Sequence, residues 1–225
     1  MTDRDQPLFE NKPVIQFGRE TDRRSFLRWA GLVGVGAGFV IGGVAAGTTA
    51  AFAQTPSASP SAGAASSTGD LGILNYALTL EYLEAEFYKQ GIAAGKLSGR
   101  ELDLITPIEA HEQAHVQAIT ATVSKLGGTP VAMPKITFPA GTFDSRDKFL
   151  MTASTFEETG VSAYHGQVPL IMSGAVLGAA ASIAGVESRH AAILASLIGG
   201  KPVPNAFEQP KDMATVLAAV KPFLS

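Results

Sequence analysis

The chain has 225 residues, 46% of them apolar and 16% charged, with a formal net charge of −3. That balance fits one globular domain, or two at most, and offers no basic footprint for nucleic acid. There is no cysteine, which excludes disulfides, iron–sulfur clusters, thiolate metal sites and cysteine nucleophiles, so any metal has to be held by Glu, Asp and His.

Residues 1–53 read as an address. Arg23–Arg24 stand just ahead of a Gly/Ala/Val-rich apolar stretch that ends in the small-x-small pattern "AFA", Ala51 to Ala53. This resembles a twin-arginine export signal, which is read by a receptor and is not part of the fold. It predicts a periplasmic, extracellular or membrane-held location, and that route is known for carrying folded, often cofactor-loaded proteins. The uncharged run from Trp29 to Phe52 is long enough to span a bilayer, so an uncleaved signal would tether the protein to the membrane. Residues 54–69 are rich in Ser, Pro and Ala and have nothing to bury, which predicts a flexible linker.

From residue 70 to 225 the pattern is that of a helical domain. "LGILNYALTLEYLEAEFYKQGIAAG" carries apolar residues at three- and four-residue spacing without a proline, which predicts a first helix. A tight connection follows at Gly95–Leu97. Ser98-x-x-Glu101 then reads as a capping box opening a second helix that runs to the Gly127–Gly128 stop. "TPVAMPKITFPAGTFDS" is a long crossover, after which Asp144 or Ser145 can cap a third helix. Pro169 ends or kinks that helix. A fourth follows the turn near Ser173–Gly174 and stops at Gly199–Gly200, and Lys211 to Phe223 can form a short fifth. Short links make helices one–two and three–four antiparallel hairpins, and the long link can run the length of the bundle. The fold class is therefore all-α, a four-helix bundle of the ferritin-like arrangement.

Two motifs carry the chemistry. Glu112 stands three places before His115, and Glu187 three places before His190. With four histidines and twelve glutamates in the chain, chance would give about 0.2 such pairs, the spacing being that of helix-borne metal sites. The two hairpins also repeat one another. "TLEYLEAEFY" aligns with "TFEETGVSAY", which matches Glu81 to Glu157 and Tyr88 to Tyr164. Each of the four glutamates Glu81, Glu112, Glu157 and Glu187 then lies about 15 residues from its hairpin turn, roughly 22 Å at 1.5 Å per residue, so all four meet in one layer. In each Glu-x-x-His pair the side chains share a helix face. Four carboxylates in a dry core require protons or cations, and two divalent metals would neutralise them with one histidine each. Oxygen and imidazole donors suit iron or manganese; zinc or copper could also bind by intrinsic affinity.

Across roughly residues 70–200 the sequence resembles the ferritin-like di-iron carboxylate superfamily. With "LEYLEAEFY", "HEQAHV", "FEETGVSAY" and "VESRHA" it is most similar to the exported bacterial branch of ferritin-like domain or desiccation-related proteins. The resemblance implies that Glu81 and His115 serve one metal, Glu157 and His190 the other, and that Glu112 and Glu187 bridge them. Glu84 and Glu158 stand close enough to compete with Glu81 and Glu157. The repeat favours the latter pair, because the counterpart of Glu84 is Gly160. Tyr88 and Tyr164 lie two turns along the same face and read equally as hydrogen-bond partners of a ligand or electron relays, or as core aromatics. His111 points about 100° away from the Glu112 face and reads as a surface histidine. His165 has no motif of its own, Arg189 is expected to meet a carboxylate or solvent, and "SGAVLGAAASIAG" reads as close helix packing.

The functional expectation is a di-metal centre, of iron as the resemblance implies and open to manganese, with ferroxidase or peroxide-consuming redox activity. The competing expectations are a non-catalytic, metal-stabilised stress-protection protein and a metal-free envelope interaction module. A homo-oligomer is compatible with the sequence, and no residue pattern names an electron donor.

Overall fold

The computed structural model describes residues 69–225. The segment expected to be an export signal, residues 1–53, and nearly all of the expected linker, 54–69, lie outside the described residues. Among those described, the elements are α1 (Asp70–Ala93), α2 (Gly99–Lys125), α3 (Arg146–Gln167), α4 (Gly174–Leu197) and α5 (Met213–Val220), with short 3-10 turns at Val168–Leu170 and Lys221–Phe223. The links 94–98 and 168–173 close two antiparallel hairpins, and 126–145 is the long crossover. The result is a ferritin-like four-helix bundle with a short C-terminal fifth helix. None of the described helices is long and apolar enough to cross a membrane.

The helix stops follow from local chemistry. Gly127 and Gly199 take φ values of 78° and 74°, the left-handed conformation that L side chains avoid. The amides of Gly128 and Gly200 then reach back to the carbonyls of Val123 and Ala195, closing the last turn of α2 and of α4. Of the two candidate caps for α3, Ser145 is the one used, its hydroxyl accepting from the Lys148 amide at 3.3 Å. α3 ends at Gln167, and Pro169 sits inside the 3-10 turn that follows. Pro107 lies within α2 on its exposed side, where the carbonyl it leaves unpaired can be hydrated.

One expected cap does not form. Ser98 occupies the N-cap position of α2 but makes no side-chain capping bond. Its intended partner Glu101 is drawn instead to Arg146, whose Nε and Nη2 donate to one carboxylate oxygen at 2.8 and 2.5 Å. A charge-assisted guanidinium bond is stronger than a carboxylate–amide cap, and Arg146 also donates to the carbonyl of Leu197 at 2.8 Å. The start of α3 is thereby tied to the start of α2 and the end of α4. At the opposite end Asp70 accepts from the amides of Met172 and Ser173, both at 2.8 Å, and ties α1 to the α3–α4 turn.

Apolar packing forms two clusters, one on each side of the mid-bundle glutamates. Towards the α1–α2 turn Phe87, Ile105, Phe149 and Leu194 are buried, with Phe87 stacked on Phe149 at 5.1 Å. Towards the other end Leu74, Leu78, Ile119, Val123, Val176 and Ile183 are buried. α5 adds Val216 and Val220 to the first cluster. Behind it the chain end pairs with the crossover through a single antiparallel bridge, Ile136 to Leu224, flanked by bonds between Lys135 and Ser225 and between Thr137 and Phe223.

Candidate metal centre

The six residues singled out from the repeat converge between the two apolar clusters. Glu81 comes from α1, Glu112 and His115 from α2, Glu157 from α3, and Glu187 and His190 from α4. All four glutamates are 0% exposed, His115 is 6% and His190 2% exposed. They meet because each sits mid-helix, at matching distances from a closed hairpin turn, with the i, i+3 partners of α2 and α4 facing inward.

The donor atoms fall into two overlapping groups, each with its atoms within 4.8 Å of one another. One is Glu81, Glu112, His115 and Glu187; the other is Glu112, Glu157, Glu187 and His190. Glu112 and Glu187 belong to both. His115 Nδ1 lies 3.1 Å from Glu187, 3.2 Å from Glu81 and 3.3 Å from Glu112. His190 Nδ1 lies 3.0 Å from Glu112 and 3.4 Å from Glu157. Buried atoms without a hydrogen-bond partner include Glu112 Oε1, Glu157 Oε2, both oxygens of Glu187 and His190 Nδ1. Buried polar atoms are nearly always satisfied, so orphans concentrated on one donor set, all aimed at one another, fit a pair of metal ions.

Without metal the cluster has to be neutralised by protons. Burial pushes Glu187 well above the usual carboxylate range, and the charges of Glu112 and Glu157 push it further. Burial also raises Glu112; the facing imidazoles of His115 and His190 pull it back, leaving it at about 7. Burial opposes charge on His190, but Glu112 and Glu157 outweigh it and raise the imidazole to about 9. His115 is likewise raised, burial being overcome by Glu112, Glu187 and Glu81.

A second layer of side chains holds the first. Tyr88 on α1 donates to Glu157 Oε1 on α3 at 2.5 Å, and Tyr164 on α3 donates to Glu81 Oε1 on α1. The two tyrosines are therefore crossed partners of the two outer carboxylates, each orienting the glutamate of the opposite hairpin. Both phenols are held well above their ordinary range, by burial first and then by the carboxylates they face.

His111 is where spacing on one helix falls short. It is exposed, as expected of a surface residue, yet its Nδ1 lies 2.9 Å from His190 Nε2 and the rings stack at 5.2 Å. Partial desolvation of the ring and the neighbouring His190 and His115 lower its pKa, which favours the neutral form that can accept. His190 can then donate from Nε2 to His111 and leave Nδ1 free to face the carboxylates. The repeat could not reveal this, because the counterpart of His111 is Val186.

The rival glutamates separate clearly. Glu158 is exposed, whereas Glu84 is buried beside the cluster without joining either donor group. A Cβ at Gly160 would lie 3.1 Å from Glu84 Oε1 and 3.2 Å from Glu187 Oε2, so the glycine leaves the space those carboxylates fill. Burial and then the charges of Glu187, Glu157, Glu112 and Glu81 raise Glu84 well above the usual carboxylate range. The repeat is asymmetric here for a steric reason. His165 is half-buried away from both donor groups, and Arg189 is exposed.

The family model of the ferritin-like domain matches residues 69–200, more than half of the chain. The chain belongs to the ferritin-like domain family. No curated protein matches it. A solved structure described as ferritin-like, diiron-carboxylate proteins from Bacillus anthracis str. Ames is similar at 21% identity with a TM-score of 0.46, covering 57% of this chain and 94% of that one. Within the ferritin-like family match lie all six converging residues, Tyr88, Tyr164, His111 and Glu84, whereas α5 lies beyond it. This ferritin-like domain thus contains a buried Glu/His cluster that could bind metal.

Proposed function

We propose that the protein is an exported di-iron carboxylate protein of the desiccation-related branch that oxidises Fe(II) with O₂ or peroxide outside the cytoplasm. The observation that carries this reading is the sharing of Glu112 and Glu187 between the two donor groups, which lets two ions sit side by side. Iron held there would supply redox chemistry: reduction of one hydrogen peroxide to two waters takes two protons and one electron from each of two Fe(II). Glu81 and His115 would hold one ion, Glu157 and His190 the other, with manganese the alternative metal for the same donors.

The remaining roles belong to the chain. Tyr88 and Tyr164 fix the outer carboxylates, and His111 fixes the ring of His190. Glu84 lies beside Glu187, and burial with the surrounding carboxylates favours its protonated form, so it would be placed to supply a proton to a reduction that consumes them. The apolar clusters on either side exclude bulk water from the layer.

Complete burial of the four glutamates also favours a second reading, in which the metals hold the bundle together without turnover. Aerobic addition of Fe(II), and anaerobic addition of peroxide to the Fe(II)-loaded protein, separate the two. Catalytic appearance of Fe(III) supports the first; tight metal binding without turnover supports the second. For the address, Arg23→Lys/Arg24→Lys is expected to leave the protein in the cytoplasm. Normal export of that variant in cell fractionation would reject the twin-arginine route.

A further inference from the structure

Next to the metal layer, towards the α3–α4 turn, the four helices enclose a cavity of about 40 Å³. Its walls are almost wholly apolar, with Ile73, Ala118 and Ala180 among them. Two polar side chains with unpartnered atoms interrupt those walls. Tyr76 is 6% exposed and Gln167 3% exposed, and the Tyr76 hydroxyl and both polar atoms of the Gln167 amide are buried without a hydrogen-bond partner. Two further polar residues line the cavity, but Tyr164 has its hydroxyl committed to Glu81 and Thr122 donates to the carbonyl of Ala118 at 2.7 Å.

These features constrain an occupant. One water needs roughly 10–15 Å³ in this measure, so the cavity takes about three water-sized groups. No charged side chain lines it, so an ion entering would lose its hydration without gaining a counter-charge. The phenol can donate and accept, and the amide offers donors on one side and acceptors on the other. The occupant is therefore small, neutral, and able both to donate and to accept hydrogen bonds. Tyr164 adds direction, because it is at once a wall of this cavity and the partner of Glu81.

From this arrangement we infer that the cavity is a binding site for hydrogen peroxide, held by Tyr76 and Gln167 and separated from the Glu81 side of the metal centre by Tyr164. The inference rests on the redox reading of that centre. It assigns a peroxide-holding role to two residues that touch no metal donor, and it makes the α3–α4 end of the bundle the side from which the small substrate is supplied.

The binding arm of the test needs no metal. Full-length metal-free protein labelled at the isoleucine δ1 methyl groups is titrated with hydrogen peroxide and followed by NMR. Ile73, Ile119, Ile171 and Ile183 line the cavity and are expected to shift saturably, while Ile105, Ile108 and Ile193 at the far end stay still. Tyr76→Phe/Gln167→Leu should abolish the saturable shift, and Tyr76→Phe alone, which keeps the ring packing, should weaken it. In the iron-loaded protein the double variant, and Ala180→Leu which fills the space, should raise KM for peroxide about tenfold or more with kcat nearly unchanged. Unsaturable shifts in the metal-free protein would mean that the cavity holds water only, and would overturn the inference. Peroxide turnover with a wild-type KM in the variants would overturn it while leaving the redox reading intact. Saturable methyl shifts in a protein that never turns peroxide over would uphold the site and remove the redox reading instead.

Discussion

The hydroxyl of Tyr88 donates a 2.5 Å hydrogen bond to Oε1 of Glu157, a residue 69 positions downstream on the facing hairpin. Tyr164 does the same to Glu81 in the opposite direction. Each bond uses one carboxylate oxygen and leaves the second to face the cluster, so each tyrosine sets the direction of a candidate ligand. Outer partners of this kind contribute roughly ten- to a hundredfold in metal affinity. Tyr88→Phe is expected to weaken the ion held by Glu157 and His190, and Tyr164→Phe the ion held by Glu81 and His115. Competition with a metal chelator measures both, and the folded ring packing is retained in each variant. Unchanged affinities would return the two residues to the status of core aromatics.

His111 should act on one ion only. Its contact is with His190, and His115 has no equivalent neighbour because Val186 stands at the matching position of the other hairpin. His111→Ala is expected to weaken the His190-bound ion roughly tenfold or more and to leave the His115-bound ion as it was. His111→Gln, which can restore an acceptor, should recover part of the loss. Two-step metal titration resolves the pair; equal weakening of both steps would contradict the positioning role.

Much of this centre was legible before any coordinates, and the reason is physical. A hairpin repeat keeps residues at matched distances from their turns, and i, i+3 spacing keeps Glu and His on one face, so Glu81, Glu112, His115, Glu157, Glu187 and His190 could be brought together on spacing alone. The helix boundaries follow from glycine stops at 127 and 199 and from the cap offered by Asp144 or Ser145, of which Ser145 is used. What stayed hidden depends on contacts between helices that share no spacing. Arg146 takes Glu101 away from its cap across 45 residues, His111 meets His190 across 79, and the Ile136–Leu224 bridge is a single residue pair with no periodicity to detect. Glu84 is intermediate: its helix position places it near the site, but its buried setting depends on the space left by Gly160.

The metal-free domain should lose stability as pH rises. His190 is raised from 6.5 to about 9, Glu112 from 4.5 to about 7, and Glu187 lies well above 4.5. Each folded-state pKa exceeds its unfolded value, so the folded state holds protons that the unfolded chain has released. The stability each group contributes is fully present below its unfolded pKa and is lost as pH climbs through its folded one. The window runs from about pH 5 to about pH 9. Metal ions displace those same protons, so uptake near neutral pH should release protons, and affinity should fall in acid. Metal bound only to the folded form stabilises it by about 4 kcal/mol at a thousandfold excess over Kd. Melting curves with and without chelator should therefore diverge as pH rises and converge as it falls. Identical curves at neutral pH would remove the metal layer from the account of stability.

The most direct test is the metal content of full-length protein reconstituted anaerobically with Fe(II). The overlapping donor groups predict two ions per chain. Because Glu112 and Glu187 belong to both groups, the Glu112→Ala/Glu187→Ala variant is predicted to bind neither ion, whereas His115→Ala and His190→Ala should each retain one. Two ions still bound in the double variant would contradict a centre bridged by Glu112 and Glu187.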